Sequence, residues 1–108
     1  MNERNSINRV ELQGRIGTVR ISPGRVKLTA NFSLMTEHVQ KTANGKTIVE
    51  ACWHNVAAFQ DEGVCLDGLT RGAVVHLEGR LRNCRYTAAD GSERVFTEII
   101  ASTLKVIE

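Results

Sequence analysis

From Asn8 to Ile16 the chain alternates, with Val10, Leu12, Gly14 and Ile16 on one face and Arg9, Glu11, Gln13 and Arg15 on the other. A period of two predicts a half-buried strand, because successive side chains of an extended backbone point to opposite faces. Pro23-Gly24 marks a turn, after which Val26, Leu28, Ala30, Phe32 and Leu34 are expected to face inward along a long second strand. Asn44-Gly45 is a strong hairpin signal, since both residues tolerate the positive φ of a type I′ turn. It should fold the second strand back onto a third, at about Thr47–Phe59. There Ile48, Cys52, His54, Val56 and Ala58 share one face, and Val49, Ala51, Trp53, Asn55, Ala57 and Phe59 the other. A strand apolar on both faces is either covered on both sides or offers its second face to a ligand or subunit.

Asp61–Thr70 is the one helical candidate. Asp61 suits an N-cap and Gly72 the residue just past the helix, and Gly63 and Gly68 limit it to about two turns. Ala73–Leu81 alternates again, with Val75, Leu77, Gly79 and Leu81 on one side, and Ala89-Asp90-Gly91-Ser92 predicts a second hairpin before Arg94–Ile107. The reading is all-β: five strands, mostly hairpin-connected, with one short helix between strands 3 and 4. That is the order of an OB-fold, a five-stranded, partly open Greek-key barrel whose strand 2 and 3 face commonly takes nucleic acid. A plain small barrel or a piece of a β-sandwich is the competing arrangement.

With 108 residues, 42% of them hydrophobic, the chain reads as a single OB-fold domain over 1–108, with Met1–Ser6 expected outside its ordered part. The single Pro and nine Gly are scattered, so no linker or low-complexity segment divides it. No apolar run approaches the roughly 20 residues of a membrane span, and the polar opening is not a signal peptide, so a cytoplasmic protein without membrane association is expected. Cys52, Cys65 and Cys84 are odd in number and widely spaced, which predicts reduced thiols buried as small hydrophobes.

Fourteen basic against twelve acidic residues give a net charge of only +2, but the distribution is uneven. Arg4, Arg9, Arg15, Arg20, Arg25 and Lys27 face only Glu3 and Glu11 within residues 1–30, and five Arg lie within 71–94, while Asp61, Glu62 and Asp67 form an acidic patch between them. Ten of the basic residues are Arg, whose planar fork suits phosphate and stacks on bases.

Five blocks carry a resemblance to the bacterial single-stranded-DNA-binding protein family. They are Asn8 to Gly17 (NRVELQGRIG), Ala30 to Leu34 (ANFSL), Trp53 to Phe59 (WHNVAAF), Arg71 to Arg82 (RGAVVHLEGRLR) and Thr97 to Ala101 (TEIIA), in the family's order and at nearly its spacing over about residues 8–106. The resemblance implies an OB-fold assembled as a homotetramer, binding single-stranded DNA without sequence preference in replication, recombination or repair; separately, a sequence with neither a catalytic nor a metal constellation is expected to need no cofactor. The family's stacking aromatics match Trp53, Phe59 and Tyr86. Trp53 and Phe59 are also an even six apart on a strand, on the face the core alternation leaves over. Arg80, Arg82 and Arg85 near Tyr86 suit a groove that tracks a phosphate backbone, and Arg71 matches a commonly basic position. The Thr36–Thr47 hairpin resembles a DNA-contacting loop, with Lys41 and Lys46 as its phosphate contacts.

The departures are also specific. No aromatic stands near Val39 and Gln40, where the family commonly has another stacking Trp; Asp61 follows Phe59 where a basic residue is common, and Asn55 replaces a frequent Arg. Residues 1–108 hold no acidic tail of the kind that recruits repair enzymes, so recruitment by that route is not expected of this chain. Cys52 with His54, or His38 with His76, lacks the orienting acid and oxyanion motif of a catalytic site, and Cys52-Trp53-His54 lacks a second pair of zinc ligands, so neither enzyme nor metal site is expected. The closer rival is the dimeric primosomal replication protein N family, which this chain resembles in length.

Overall fold

The computed structural model describes residues 5–24 and 26–108; Met1–Arg4, most of the segment set apart above, lie outside it, as does Arg25. Five long strands account for most of the chain: β1 (Val10–Pro23), β2 (Leu28–Lys41), β3 (Thr47–Phe59), β4 (Val74–Thr87) and β5 (Glu93–Val106). They form a barrel in the order β1-β2-β3-β5-β4, and β1 pairs back onto β4. The barrel is closed and not partly open as the sequence suggested. Its one parallel seam, β3 on β5, consists of Val56↔Ile99 and Ala57↔Ile100.

Closing so few strands requires sharply bent ones, and two irregularities supply the bends. β1 pairs with β4 through Val10–Arg15 and with β2 through Arg15–Pro23, with a register shift between Ile16 and Val19. The β4–β5 ladder shifts between Glu78 and Gly79. A Cβ on Gly79 would collide with the Ile100 carbonyl oxygen, and one on Gly14 with that of Met35, so close backbone approach requires glycine at both places.

The alternation places Ile16, Phe32, Leu34, Val56, Val75, Leu77, Ile99 and Leu104 in one buried cluster. Val26 and Leu28 depart from the inward expectation: Val26 precedes the ladder and Leu28 opens it at Pro23, beyond the core. The helix expected over Asp61–Thr70 is absent. This segment is a run of turns pinned by the bridges Asp61↔Val64 and Val64↔Leu104, and it inserts Val64, Leu66 and Leu69 into the core. Asp61 Oδ1 accepts a hydrogen bond from the Gly63 N–H at 3.3 Å, and Gly68 and Gly72 take positive φ, 77° and 89°. The two glycines let the strand connection plug the barrel end as a loop, with three apolar residues spaced too irregularly for one helical face.

Both hairpins form where expected, but neither uses a type I′ turn. Thr42 and Lys46 close the first, with the Gly45 N–H on the Thr42 carbonyl, and Ala88 and Ser92 close the second, with Gly91 on Ala88. Only the glycine of each turn has positive φ, 82° at Gly45 and 86° at Gly91, which is the signature of a wider turn ending in a left-handed residue. The β2–β3 ladder runs unbroken from Thr29↔Phe59 to Lys41↔Thr47. Its buried residues stop at Leu34 and Val56, so the outer half extends beyond the core.

Candidate nucleic-acid interface

The inward set on β3 is Val56 and Ala58, so Trp53, Asn55 and Phe59 point out of the barrel. Across the ladder, Trp53 lies opposite Met35 and Phe59 opposite Thr29. The ring edge of Trp53 lies over Gly17, where an added Cβ would come within 2.5 Å of its Cζ3. The absence of a side chain at Gly17, within the β1 irregularity, leaves room for the indole edge. On β4, Arg80, Arg82, Cys84 and Tyr86 share one parity, and their ladder partners Ile100, Glu98, Phe96 and Arg94 share it on β5. Ile99 and Ala101 are the inward residues there, so this set also faces outward.

One cleft of about 630 Å³ joins these two surfaces, with Arg20, Asn31, Ser33 and Asn55 on the β1–β3 side and Phe96 and Glu98 on the β5 side. The outer face thus carries four partly exposed rings: Trp53 at 60%, Tyr86 at 49%, Phe59 at 43% and Phe96 at 39%. Tyr86 and Phe96 meet edge to face, ring centres 5.9 Å apart at 62°.

The basic residues differ in how far they are free. Arg80, Arg85, Arg71, Lys41 and Lys46 have no side-chain partner among the described residues. Lys41 shares the Trp53 face of β2, and Lys46 lies in the turn beyond it. Arg71 sits in the loop before β4, beside Gly72, whose N–H donates to the Ile16 carbonyl. Arg85, one residue from Tyr86, takes the opposite face of the β4–β5 ladder, across from Val95. Arg82 is engaged: its guanidinium grips Glu98 Oε1, which also accepts a hydrogen bond from the Cys84 thiol at 3.2 Å. Burial pushes the Glu98 carboxyl up, but the Arg82 and Cys84 hydrogen bonds and the Arg82 charge outweigh it and hold it below the usual carboxylate range. The hydrogen bond to Glu98 correspondingly raises Arg82.

The sequence reading missed Arg20, Phe96, Glu98 and Arg94 as members of this face. Arg94, Phe96 and Glu98 were visible as an alternating set on the last strand, but nothing in one strand says which parity faces the neighbour's Tyr86. The cysteines also differ from expectation. Cys52 lies on the part of the β2–β3 hairpin beyond the core and Cys65 in the loop after β3, both exposed, and Cys84 is half-buried; all three are free thiols. His54 is occupied by the Thr36 hydroxyl at 2.9 Å across the ladder.

A closed five-stranded barrel in this strand order, with these hairpins, makes the domain an OB-fold. The profile of the single-strand binding protein family matches residues 7–107, and the chain belongs to that family. The single-stranded DNA-binding protein of Neisseria meningitidis is 32% identical over 106 residues, 94% of this chain and 60% of that protein. That of Xylella fastidiosa is 32% identical over 105 residues, 94% of this chain and 63% of that protein. The chain thus spans about 60% of the length of the relatives it matches. A Plasmodium falciparum SSB solved in complex with ssDNA has a TM-score of 0.80 and 25% identity, covering 100% of both chains. A deletion mutant of the Thermus aquaticus single-stranded DNA binding protein shares the fold, with a TM-score of 0.74 at 18% identity over 94% of this chain and 51% of that one. Among the described residues no helix is long and apolar enough to cross a membrane.

Proposed function

We propose that this chain binds single-stranded DNA without sequence preference and holds it apart from its complement during replication, recombination or repair, acting by binding and not by catalysis. The observation that carries this reading is the outward parity shared by the exposed rings of Trp53 and Phe59 on β3 and Tyr86 on β4, with the unpaired Lys41 and Arg80 on the same faces. Base stacking is worth about 1–3 kcal/mol per ring and ignores base identity, while the cations follow the phosphates. Arg80 and Lys41 lie on the stacking face and are the best-placed phosphate contacts. Lys46 and Arg71 stand at its margins, and Arg85 reaches the strand around the edge of the β4–β5 hairpin. Arg82 acts first on Glu98, removing a negative charge from the path of the backbone. The Plasmodium falciparum complex supports this ligand class, since it covers the whole chain. A homotetramer in the cytoplasm, with one strand wrapped across several such faces, completes the proposal.

Titrating a dT oligomer while following the emission of Trp53, the single Trp, tests the reading. Emission should quench on binding, and the affinity should fall steeply with salt as counterions are released. Unchanged emission at low salt with micromolar protein would overturn it.

A further inference from the structure

Phe96 is a phenyl ring left 39% exposed by a chain that buries Phe32 to 4%. It lies on the outer face of β5, opposite Cys84 in the ladder, and it forms one wall of the 630 Å³ cleft. That volume falls within the range of small-molecule sites. The edge-to-face contact with Tyr86 fixes the ring's orientation without the face-to-face overlap that would use up both rings. Across the cleft stand the amides of Asn31 and Asn55 and the guanidinium of Arg20, none of which has a partner among the described residues. The remaining charge in the cleft, Glu98, is already neutralised by Arg82.

We propose that this cleft is a further base-binding position in which one unpaired nucleobase stacks on Phe96 and turns its polar edge toward Asn31 and Asn55, while Arg20 takes an adjacent phosphate. The proposal rests on the single-strand-binding reading and adds to it a ring, two amides and a cation outside the residues assigned above. An amide side chain offers both a donor and an acceptor and can present either by rotating half a turn. Asn31 and Asn55 can therefore satisfy the edge of any base, so the pocket adds affinity without adding sequence preference. An arginine in either Asn position would instead present donors only.

The test compares Phe96→Leu and Phe96→Tyr with the unaltered protein on two ligands, a dT oligomer of about 16 nucleotides and its abasic counterpart of equal charge. Leucine keeps an apolar side chain and loses the π face, so dT binding should weaken about tenfold, one stack's worth, with abasic binding unchanged. Tyrosine should bind as the unaltered protein does. The loss should persist in a Tyr86→Ala background. A Phe96→Leu protein that binds dT normally, a loss equal on both ligands, or a loss that vanishes without Tyr86 would each overturn the proposal, the last by making Phe96 only a support for its neighbour. A Trp53→Phe/Phe96→Trp protein moves the sole indole into the cleft and reads stacking directly. Quenching by saturating dT is expected, and unchanged emission from a protein that still binds dT overturns the assignment even if Phe96→Leu folds poorly. Failure of the unaltered protein to bind dT would instead sink the single-strand-binding reading on which the proposal rests.

Discussion

Two arginines two residues apart on one strand face look equivalent in sequence, yet Arg80 is free and Arg82 is held by a buried carboxylate. A cation already held by a carboxylate neutralises a phosphate less fully and so releases fewer of the counterions condensed on DNA, and the two should differ in the salt dependence of binding. Arg80→Ala should reduce the slope of log affinity against log salt by about 0.7, the value for one phosphate of a single strand. Arg82→Ala should change it less and should cost stability instead, because it strands Glu98. Fluorescence titrations at several salt concentrations, with thermal melts alongside, separate the two. Glu98 itself supplies a pH test. Its folded pKa lies below the ordinary carboxyl value of about 4.5, so its contribution to stability is complete above that value and is lost as the pH falls through the lower folded one. Glu98→Gln removes that titration. The unaltered protein should therefore be the more stable at neutral pH, and its advantage should shrink as the pH falls below the ordinary carboxyl range, as followed by melting temperature.

At the level of elements, glycine separates the needs of the fold from those of the face. Gly79→Ala drives a Cβ into the backbone of Ile100 and Ala101, which has nowhere to move, so it should destabilise by about 1–3 kcal/mol. The atoms nearest a Cβ added at Gly17 belong to the Trp53 ring and the Ser33 hydroxyl, both side chains. Gly17→Ala should leave the melting temperature nearly unchanged while lifting the indole off its seat and weakening dT binding by up to one stack. Equal melting losses in the two variants would contradict this division. The same elements show what could be read in advance. The strands and the outward parity of Trp53 and Phe59 follow from period-two alternation, a local property, and a strand lies over each alternating run, although β1 continues past Ile16 to Pro23 and β4 past Leu81 to Thr87. The helix expected at Asp61–Thr70, the type I′ turn at Asn44-Gly45 and the open barrel were not legible, because each depends on what the segment meets across the fold. Leu66 and Leu69 fill the barrel end better as turns, Asn44 stays out of the left-handed region, and closure depends on two residue pairs between β3 and β5. Within the site, the capture of Arg82 by Glu98 depends on register between β4 and β5, which alternation within either strand does not specify, whereas the turning away of Arg85 is a matter of parity along β4 alone.

At the scale of the whole molecule, the barrel leaves substantial apolar surface outside the nucleic-acid face. On the β2–β3 hairpin, Ile48 and Cys52 lie on the side opposite Trp53, and on the β4–β5 hairpin Leu81 and Val95 lie on the side opposite Tyr86. All four are exposed in the single chain and none shares the parity of the stacking rings. Apolar side chains exposed on one face of each hairpin suit cover by another protein surface. The proposed homo-oligomer would cover them while leaving the ring-bearing faces outward, and joining several faces would raise affinity for a long strand through effective concentration, with no new contact to any one nucleotide. Light scattering should therefore give four times the chain mass, and dT long enough to cross more than one face should bind much more tightly than dT that fits only one. A mass of two chains would favour a dimeric replication-restart module. A monomer, or affinity indifferent to strand length beyond one face, would refute wrapping while leaving the single-face binding site of Trp53, Phe59 and Tyr86 to be judged by its own titration.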